Sequence, residues 1–503
     1  MYIKAFPAMF LLLFTCAIEA AGLSINGLVV DLESNQVLPY ASIAVSGKSI
    51  GTISNSDGRF VLSAEHIQSN DTILISYMGY ETLKLPYEKA LSQTSFYLKP
   101  ANINLSEVKV YSRNLSVEEI IERAVENYSK NHPQINQRQR LFVHSFIQTP
   151  FSKQNTARIV KSNFKGMSKD KFDAIFNKIP AVFTDYNDAI FDLYSFDYKY
   201  KLKPIQGISL EEGDQDALLK EIEEQMTEII ADFENAIKNP DVYYKFKTGI
   251  FGFKFNPSED ENNESDYSKD DSLNFKIPTA SIKYETGKLI KEFSTLEGEN
   301  TEFLKKKGKY RFKLENIEFY NGELVYRIKF SPKRTGLFEG EIFISTSDFG
   351  IHQMDYAYAK GKSTENIKIL GFGHAINKRK GRVIFDKGPD HYHLKFILAE
   401  ESEMAAIDRK FSFLKKEKRF FIDKELSQIK FDVDLLFNVQ SKWELLVLEH
   451  ETLNEEDFDK VEQAKFMNFK KELAHSPKDW ENRTYIVPGE ELIKYTRKIN
   501  KEN

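Results

Sequence analysis

The sequence has almost no cysteine. Its one thiol, Cys16, lies inside an apolar N-terminal run. If that run is cleaved off, neither disulfides nor a thiolate nucleophile remain. Glycine (24) and proline (15) are scarce in 503 residues, which argues against long flexible linkers. Beyond the N-terminus no apolar run is long enough to cross a bilayer as a helix. Neither a G-x-G-x-x-G nor a P-loop occurs, and Gly371-Phe372-Gly373 stops short of both. An excess of one charge is also missing. Lys+Arg is 70 and Asp+Glu 75, a net charge of -5, so the overall balance draws the chain neither to nucleic acid nor to acidic membranes.

Aromatics are plentiful, with 40 Phe and 24 Tyr, which favours β structure. Residues 1–22 read as a signal peptide. Lys4 gives a basic start, Ala5 to Ile18 an apolar core, and Ala20-Ala21-Gly22 small residues for cleavage. Thr15 precedes Cys16 where a lipoprotein signal needs a small residue, so ordinary cleavage near Ala21 to Leu23 is expected rather than lipidation. The chain is read as exported, in the periplasm or associated with the outer membrane, and peripheral to a membrane at most.

From Gly27 to Tyr80, short apolar runs alternate with turn residues at roughly 8–12-residue spacing, the pattern of a small sandwich. Pro39 precedes the strand Tyr40 to Val45, where its missing N–H costs little. Asn55-Ser56-Asp57-Gly58 is a hairpin turn, with Gly58 free to take positive φ. The residues Gly27-x-Val29-x-Asp31, Leu38-Pro39-x-Ala41-x-Ile43-x-Val45, Gly51-Thr52, Asp57-Gly58-x-Phe60 and Ile75-Ser76-Tyr77-x-Gly79-Tyr80 together resemble the carboxypeptidase-regulatory-like family. The resemblance implies a seven-stranded, prealbumin-like β-sandwich over 23–100 and names no activity. Tyr77 and Tyr80 could stack on sugar rings, but core and edge packing is the simpler role.

Residues 101–114 form a polar linker containing the alternation Val108-Lys109-Val110-Tyr111. Ser116 and Glu119 make a capping box, and Ile120, Ile121, Ala124, Val125 and Tyr128 share a helix face ended by His132-Pro133. Leu141 to Ile147 reads as a strand, and 150–212 gives no pattern to assign. Asp214 to Lys238 is a one-sided helix whose stripe includes Leu218, Ile222, Ile230 and Phe233. Residues 258–272 form an acidic low-complexity insertion, expected to be mobile and without the spacing of a calcium loop. From Phe275 onward the reading is strand after strand, with Leu324, Tyr326, Ile328 and Phe330 on one apolar face. Thus 115–503 is expected to form a larger α+β domain, a curved antiparallel sheet with helices packed on one face, and the Asp214–Lys238 helix covering part of it. Phe330-Ser331-Pro332-Lys333, Glu341 to Thr346 and Ser347-Asp348, within 325–356, resemble periplasmic lipoprotein carriers of the LolA-like class, which implies an apolar cavity. Ile120 to Pro133 is similar to the start of an uncharacterised envelope family that often follows this sandwich.

The sandwich takes its name from zinc carboxypeptidases, whose metal pattern is H-x-x-E. None of the nine His has Glu three residues on. His352 and Asp355 have that spacing, but on a strand they point to opposite faces. His391 and His393 would share a strand face, yet Lys395 joins them and disfavours a cation. Lys305-Lys306-Lys307 and Lys378-Arg379-Lys380 are expected at turns rather than on a nucleic-acid surface. Related sandwiches also precede TonB-dependent transporters. The residues after Asn114 are too few for a plug and barrel, and Lys498 to Asn503 lacks a terminal aromatic strand. The resulting expectation is a non-enzymatic envelope protein with no catalytic residues, metal or cofactor. It binds an outer-membrane protein partner or an apolar ligand, through residues that no motif of the sequence marks. The alternatives are a structural adaptor without a small ligand, or an unrecognised hydrolase.

Overall fold

The computed structural model describes residues 24–101, 115–164, 166–210, 213–249, 251–256 and 274–489. The signal segment, the alternation at Val108–Tyr111 and the acidic run 258–272 lie outside these. The fold is 53% strand and 18% helix, which makes it mainly β.

The first seven strands are β1 (Ser24–Asp31), β2 (Ser42–Val45), β3 (Gly51–Ile53), β4 (Arg59–Ser63), β5 (Thr72–Ser76), β6 (Leu83–Pro86) and β7 (Ser95–Leu98). They form two sheets, β4-β1-β7 and β3-β2-β5-β6. Period-two alternation points Ile25, Val29, Phe60 and Phe96 of one sheet at Ile43, Ile73 and Ile75 of the other, and all are buried. The expected turn is present. Gly58 has φ +77°, and the Asn55 carboxamide oxygen accepts the amides of Asp57 (2.9 Å) and Arg59 (2.8 Å).

The remaining strands are β8 (Gln137–Pro150), β9 (Thr156–Ser162), β10 (Val182–Phe196), β11 (Lys199–Leu210), β12 (Val242–Thr248), β13 (Phe251–Phe255), β14 (Asn274–Pro278), β15 (Tyr310–Tyr320), β16 (Glu323–Pro332), β17 (Phe338–Ser345), β18 (Ile351–Tyr358), β19 (Thr364–Ile369), β20 (Phe372–Lys387), β21 (Tyr392–Glu417), β22 (Lys424–Thr452) and β23 (Phe466–Glu472). All sixteen join one sheet, whose main path is β14-β23-β11-β10-β8-β22-β21-β20-β18-β17-β16-β15. Among the described residues only β11 and β23 pair in parallel within it.

The centre of this sheet is covered on both faces. Along β22, Leu445 and Val447 point into one cluster, Leu446 and Leu448 into another. Ile397 and Ala399 of β21 oppose Phe396 and Leu398 in the same way. On the first face lie the helices Val117–Glu126 and Thr279–Ser294 and the short helix Glu302–Lys305. They bury Ile120, Ile121, Phe293 and Phe303 against Ile328, Phe330 and Tyr356. The capping box starts the first of them as expected, with the Glu119 amide donating to Ser116 Oγ at 3.2 Å. The opposite face receives the sandwich. Ile53 sits among Phe142, Ile384, Phe396 and Leu446, and Met78 meets Val325 and Phe343.

Three expectations need correction. Thr279–Ser294 is a helix, and its buried Thr286, Leu289 and Phe293 follow at steps of three and four, which a helical face allows and strand alternation does not. Lys378-Arg379-Lys380 lies inside β20, not at a turn. Cross-strand carboxylates accommodate it there: Lys378–Glu400 at 2.8 Å, Arg379–Glu401 at 2.7 Å and Lys380–Glu400 at 3.0 Å. The helix Gly213–Ile237 does not cover the central face. It packs at the far end of the sheet, where Phe233 stacks on Tyr244 (4.4 Å) and Tyr244 on Phe413 (5.1 Å). Ile230, on its stripe, remains half-exposed.

Candidate functional site

The sandwich and the large sheet enclose a cavity of about 330 Å³. One wall is the β2–β3 turn, Gly47 to Ile50. The other is Asp386 to Pro389 with His393, Lys395, Val447 and His450. The walls are tied together by Ser49 Oγ, which donates to the His450 carbonyl at 2.8 Å.

The sequence motif His391-Tyr392-His393 ends here. The two imidazoles are 4.3 Å apart between centroids, and His450 of β22 stacks on His393 at 4.0 Å. Burial, reinforced by His450 and His391, lowers His393 to about 4. Burial and Lys395 also lower His450. Lys395 shares this face and is buried. Its ammonium donates to the Val447 carbonyl at 3.3 Å, with Asp386 4.0 Å away, and burial lowers its pKa. Among the described residues no group of three or more His, Cys, Asp or Glu is placed to hold a metal. The row of rings is packed, not splayed around an ion.

Behind the cavity wall lies a second polar cluster. Lys387 pairs with Glu323 and with Asp348, each at 2.8 Å. Glu323 also receives His352 at 2.7 Å, and Tyr392 donates to Asp348 at 2.9 Å. Burial opposes ionisation of Glu323, but His352, Lys387 and Ser345 outweigh it and hold the carboxyl at about 2. Asp348 is held at about 2 in the same way by Lys387, the Gly350 amide and Tyr392. His132 lies between Tyr128 and Tyr392, with centroids 4.5 and 5.0 Å away, and accepts the Ile351 amide at 3.2 Å. Burial and the neighbouring His352 lower His132 to about 3.

These groups have few degrees of chemical freedom. Lys48, Lys387 and Glu323 are each engaged by opposite charge. No two carboxylates of the cluster share a proton; Lys387 separates Glu323 from Asp348. The arrangement suits a structural cluster within the large sheet, with the cavity walls joined through Ser49 and the His450 carbonyl. His352 and Asp355 do point apart, His352 to Glu323 and Asp355 to Arg382 at 2.5 Å. Tyr77 and Tyr80 pack edge to face, and Tyr80 donates to Asp31 at 2.7 Å, which is the packing role. Sequence reasoning missed His132, Glu323, Lys387, Asp348 and His450. They come from distant parts of the chain, and no local spacing marks them.

Comparison with known proteins gives two family matches. Residues 25–110 match the CarboxypepD_reg-like domain, and residues 307–385 match a family of unknown function (DUF5686). The chain therefore carries a carboxypeptidase-regulatory-like β-sandwich, a domain type without catalytic residues of its own. The stretch 325–356, likened above to lipoprotein carriers, falls inside the second match. No curated protein matches the chain. Among solved structures, a LolA superfamily protein from Nitrosomonas europaea, NE2245, aligns at 8% identity. It covers 69% of this chain and 98% of its own, with a TM-score of 0.17, too low to carry an argument. No helix among the described residues is long and apolar enough to cross a membrane, a statement that leaves strands aside.

Proposed function

We propose that this chain is an exported, non-enzymatic envelope protein that works as an adaptor for an outer-membrane partner. The supporting observation is the filled first face of the large sheet. Phe303 stacks on Phe330 at 4.2 Å and sits 5.3 Å from Tyr356. Phe303, Leu304, Phe330 and Ile342 are fully buried, and the Tyr356 hydroxyl is satisfied by the Phe293 carbonyl at 2.9 Å. Helices fill the place where a carrier would hold its apolar cargo. The cavity on the other face holds about 330 Å³, at the lower limit for a small-molecule site, and the charged Asp386, Lys387 and Lys395 stand in its walls. The buried Asp192 carboxylate is committed to Arg138 and Arg140, each at 2.8 Å.

The test is native mass spectrometry of the purified mature protein, together with titration of a fluorescent fatty acid. The adaptor reading expects an apo mass and no saturable uptake. A co-purifying lipid or stoichiometric probe binding would replace it with the carrier. Export is tested separately, by N-terminal sequencing, which should begin near Ala21 to Leu23.

A further inference from the structure

Strands β21 and β22 run far beyond the two-faced centre of the sheet. β20 accompanies β21 only to Ile407, paired with Phe372, and β8 accompanies β22 only to Gln440. From Phe411 to Glu417 the neighbour of β21 is β12 instead. Ala399 to Glu417 spans about 60 Å at ~3.3 Å per residue. At the end of this arm a six-residue loop, 418–423, turns the chain from β21 to β22.

The crown of that loop is Phe420-Phe421-Ile422. The three are 94%, 91% and 83% exposed. Single exposed apolar side chains are ordinary, but three consecutive large ones at a tip are not. The base of the loop is fastened. Tyr243 donates to Asp423 at 2.6 Å, and the Lys418 amide donates to the Asp241 carbonyl at 2.7 Å. The Lys418 ammonium reaches the Pro240 carbonyl at 3.3 Å, and Arg419 pairs with Glu417 at 3.0 Å. The crown is thus presented outward by a fixed base, with Phe420 set edge to face against Phe421 at 4.8 Å.

The charge around the crown has the opposite sign to the whole chain. Residues 416–424 hold four cations, Lys416, Lys418, Arg419 and Lys424, and two anions, Glu417 and Asp423, a net of +2 against -5 overall. We propose that this tip inserts its apolar crown into a bilayer surface bearing anionic phospholipid, with the lysines and arginine meeting the headgroups. Aromatic side chains collared by cations match the two layers of such a surface, acyl boundary below and phosphate above. A second copy of the chain fits less well. Three side chains bury at most ~600 Å² at about 200 Å² each. That falls short of the ~800 Å² that each partner of a standard protein interface buries. A lipid surface needs only a penetration of roughly 5–10 Å. The inference goes beyond the adaptor reading and stands even if the protein proves to carry a ligand.

The experiment is co-sedimentation of the full mature chain with vesicles of phosphatidylglycerol and phosphatidylcholine, or of phosphatidylcholine alone, at low and high salt. The expected result is binding to the anionic vesicles that weakens with salt. The triple variant Phe420→Ser, Phe421→Ser, Ile422→Ser should lower partitioning by about tenfold or more, and Lys418→Glu with Arg419→Glu should remove the preference for anionic lipid. Because the crown is exposed, circular dichroism and melting of the triple variant should match the parent. A Phe421→Trp variant should shift its emission to the blue on vesicles and be quenched by brominated lipid. Parent protein absent from the anionic pellet, or a triple variant that binds equally, would overturn the proposal. So would a triple variant that changes only self-association in sedimentation velocity.

Discussion

Tyr40 of the sandwich stacks on Phe396 of the large sheet, with ring centroids 5.6 Å apart and planes 27° from parallel. Arg382 also lies over the Tyr40 ring, its guanidinium carbon 4.8 Å from the centroid. One aromatic side chain therefore couples the two parts of the fold. Tyr40→Ala should cost about 2 kcal/mol, below the ~3–5 kcal/mol of fully buried aromatic truncations, because the ring is partly buried. A double-mutant cycle with Phe396→Ala should show a coupling of about 0.5–1.5 kcal/mol. Additivity in urea unfolding would show that the stack is not the link. We also propose that residues 23–100 fold alone, since their core is internal. The isolated fragment should give a β-type circular dichroism spectrum yet associate more readily, because Tyr40 and Ile53 lose their cover.

Gly58→Val should destabilise the sandwich by roughly 1 kcal/mol or more. Its φ is +77°, and a Cβ there would meet Val37 Cβ at 3.0 Å and the Val29 carbonyl at 3.1 Å. The measurement is the melting temperature of the full chain, and an unchanged value would refute the strain.

Acidification should weaken the large domain in two stages. His132 and His393 are lowered from 6.5 to about 3 and about 4. On falling below pH 6.5 the unfolded chain takes up protons that the folded chain refuses, so stability present above 6.5 declines toward those values. Glu323 and Asp348, held at about 2 from 4.5 and 3.8, add a second decline below about pH 4.5. Urea midpoints between pH 8 and 3 should therefore fall monotonically. His132→Gln, which keeps an acceptor for the Ile351 amide, should flatten the upper stage. A midpoint that rises on acidification would reverse the sign argued here.

Ile230→Asp should be nearly neutral, within about 0.5 kcal/mol, because the side chain is half-exposed on a helix away from the central core. Phe303→Ala should cost about 3–5 kcal/mol, because the ring is fully buried against Phe330. Comparing their melting temperatures separates the two packing sites. Equal losses would place the long helix back over the main face.

The amino-acid sequence alone determined the features whose causes lie within a few residues. Asn55 to Gly58 sets a turn, Ser116 and Glu119 cap a helix, and alternation along Leu324 to Phe330 marks a strand face. The stripe from Leu218 to Phe233 marks a helix, and together the N-terminal motifs specify the sandwich. Tertiary structure decided what each face meets. The long helix found its partner in Tyr244 and Phe413 rather than at the sheet's centre. Thr279–Ser294 buries a helical face that the strand-rich stretch around it obscured. Lys378-Arg379-Lys380 is tolerated inside β20 because Glu400 and Glu401 stand opposite on β21. His450 reaches His393 because β21 and β22 pair side by side, and Glu323 reaches Lys387 because β16 and β20 are strands of the same sheet. A local pattern can specify that an apolar face exists, since it depends on periodicity. It cannot specify the cover, since that depends on contacts whose partners are tens to hundreds of residues away.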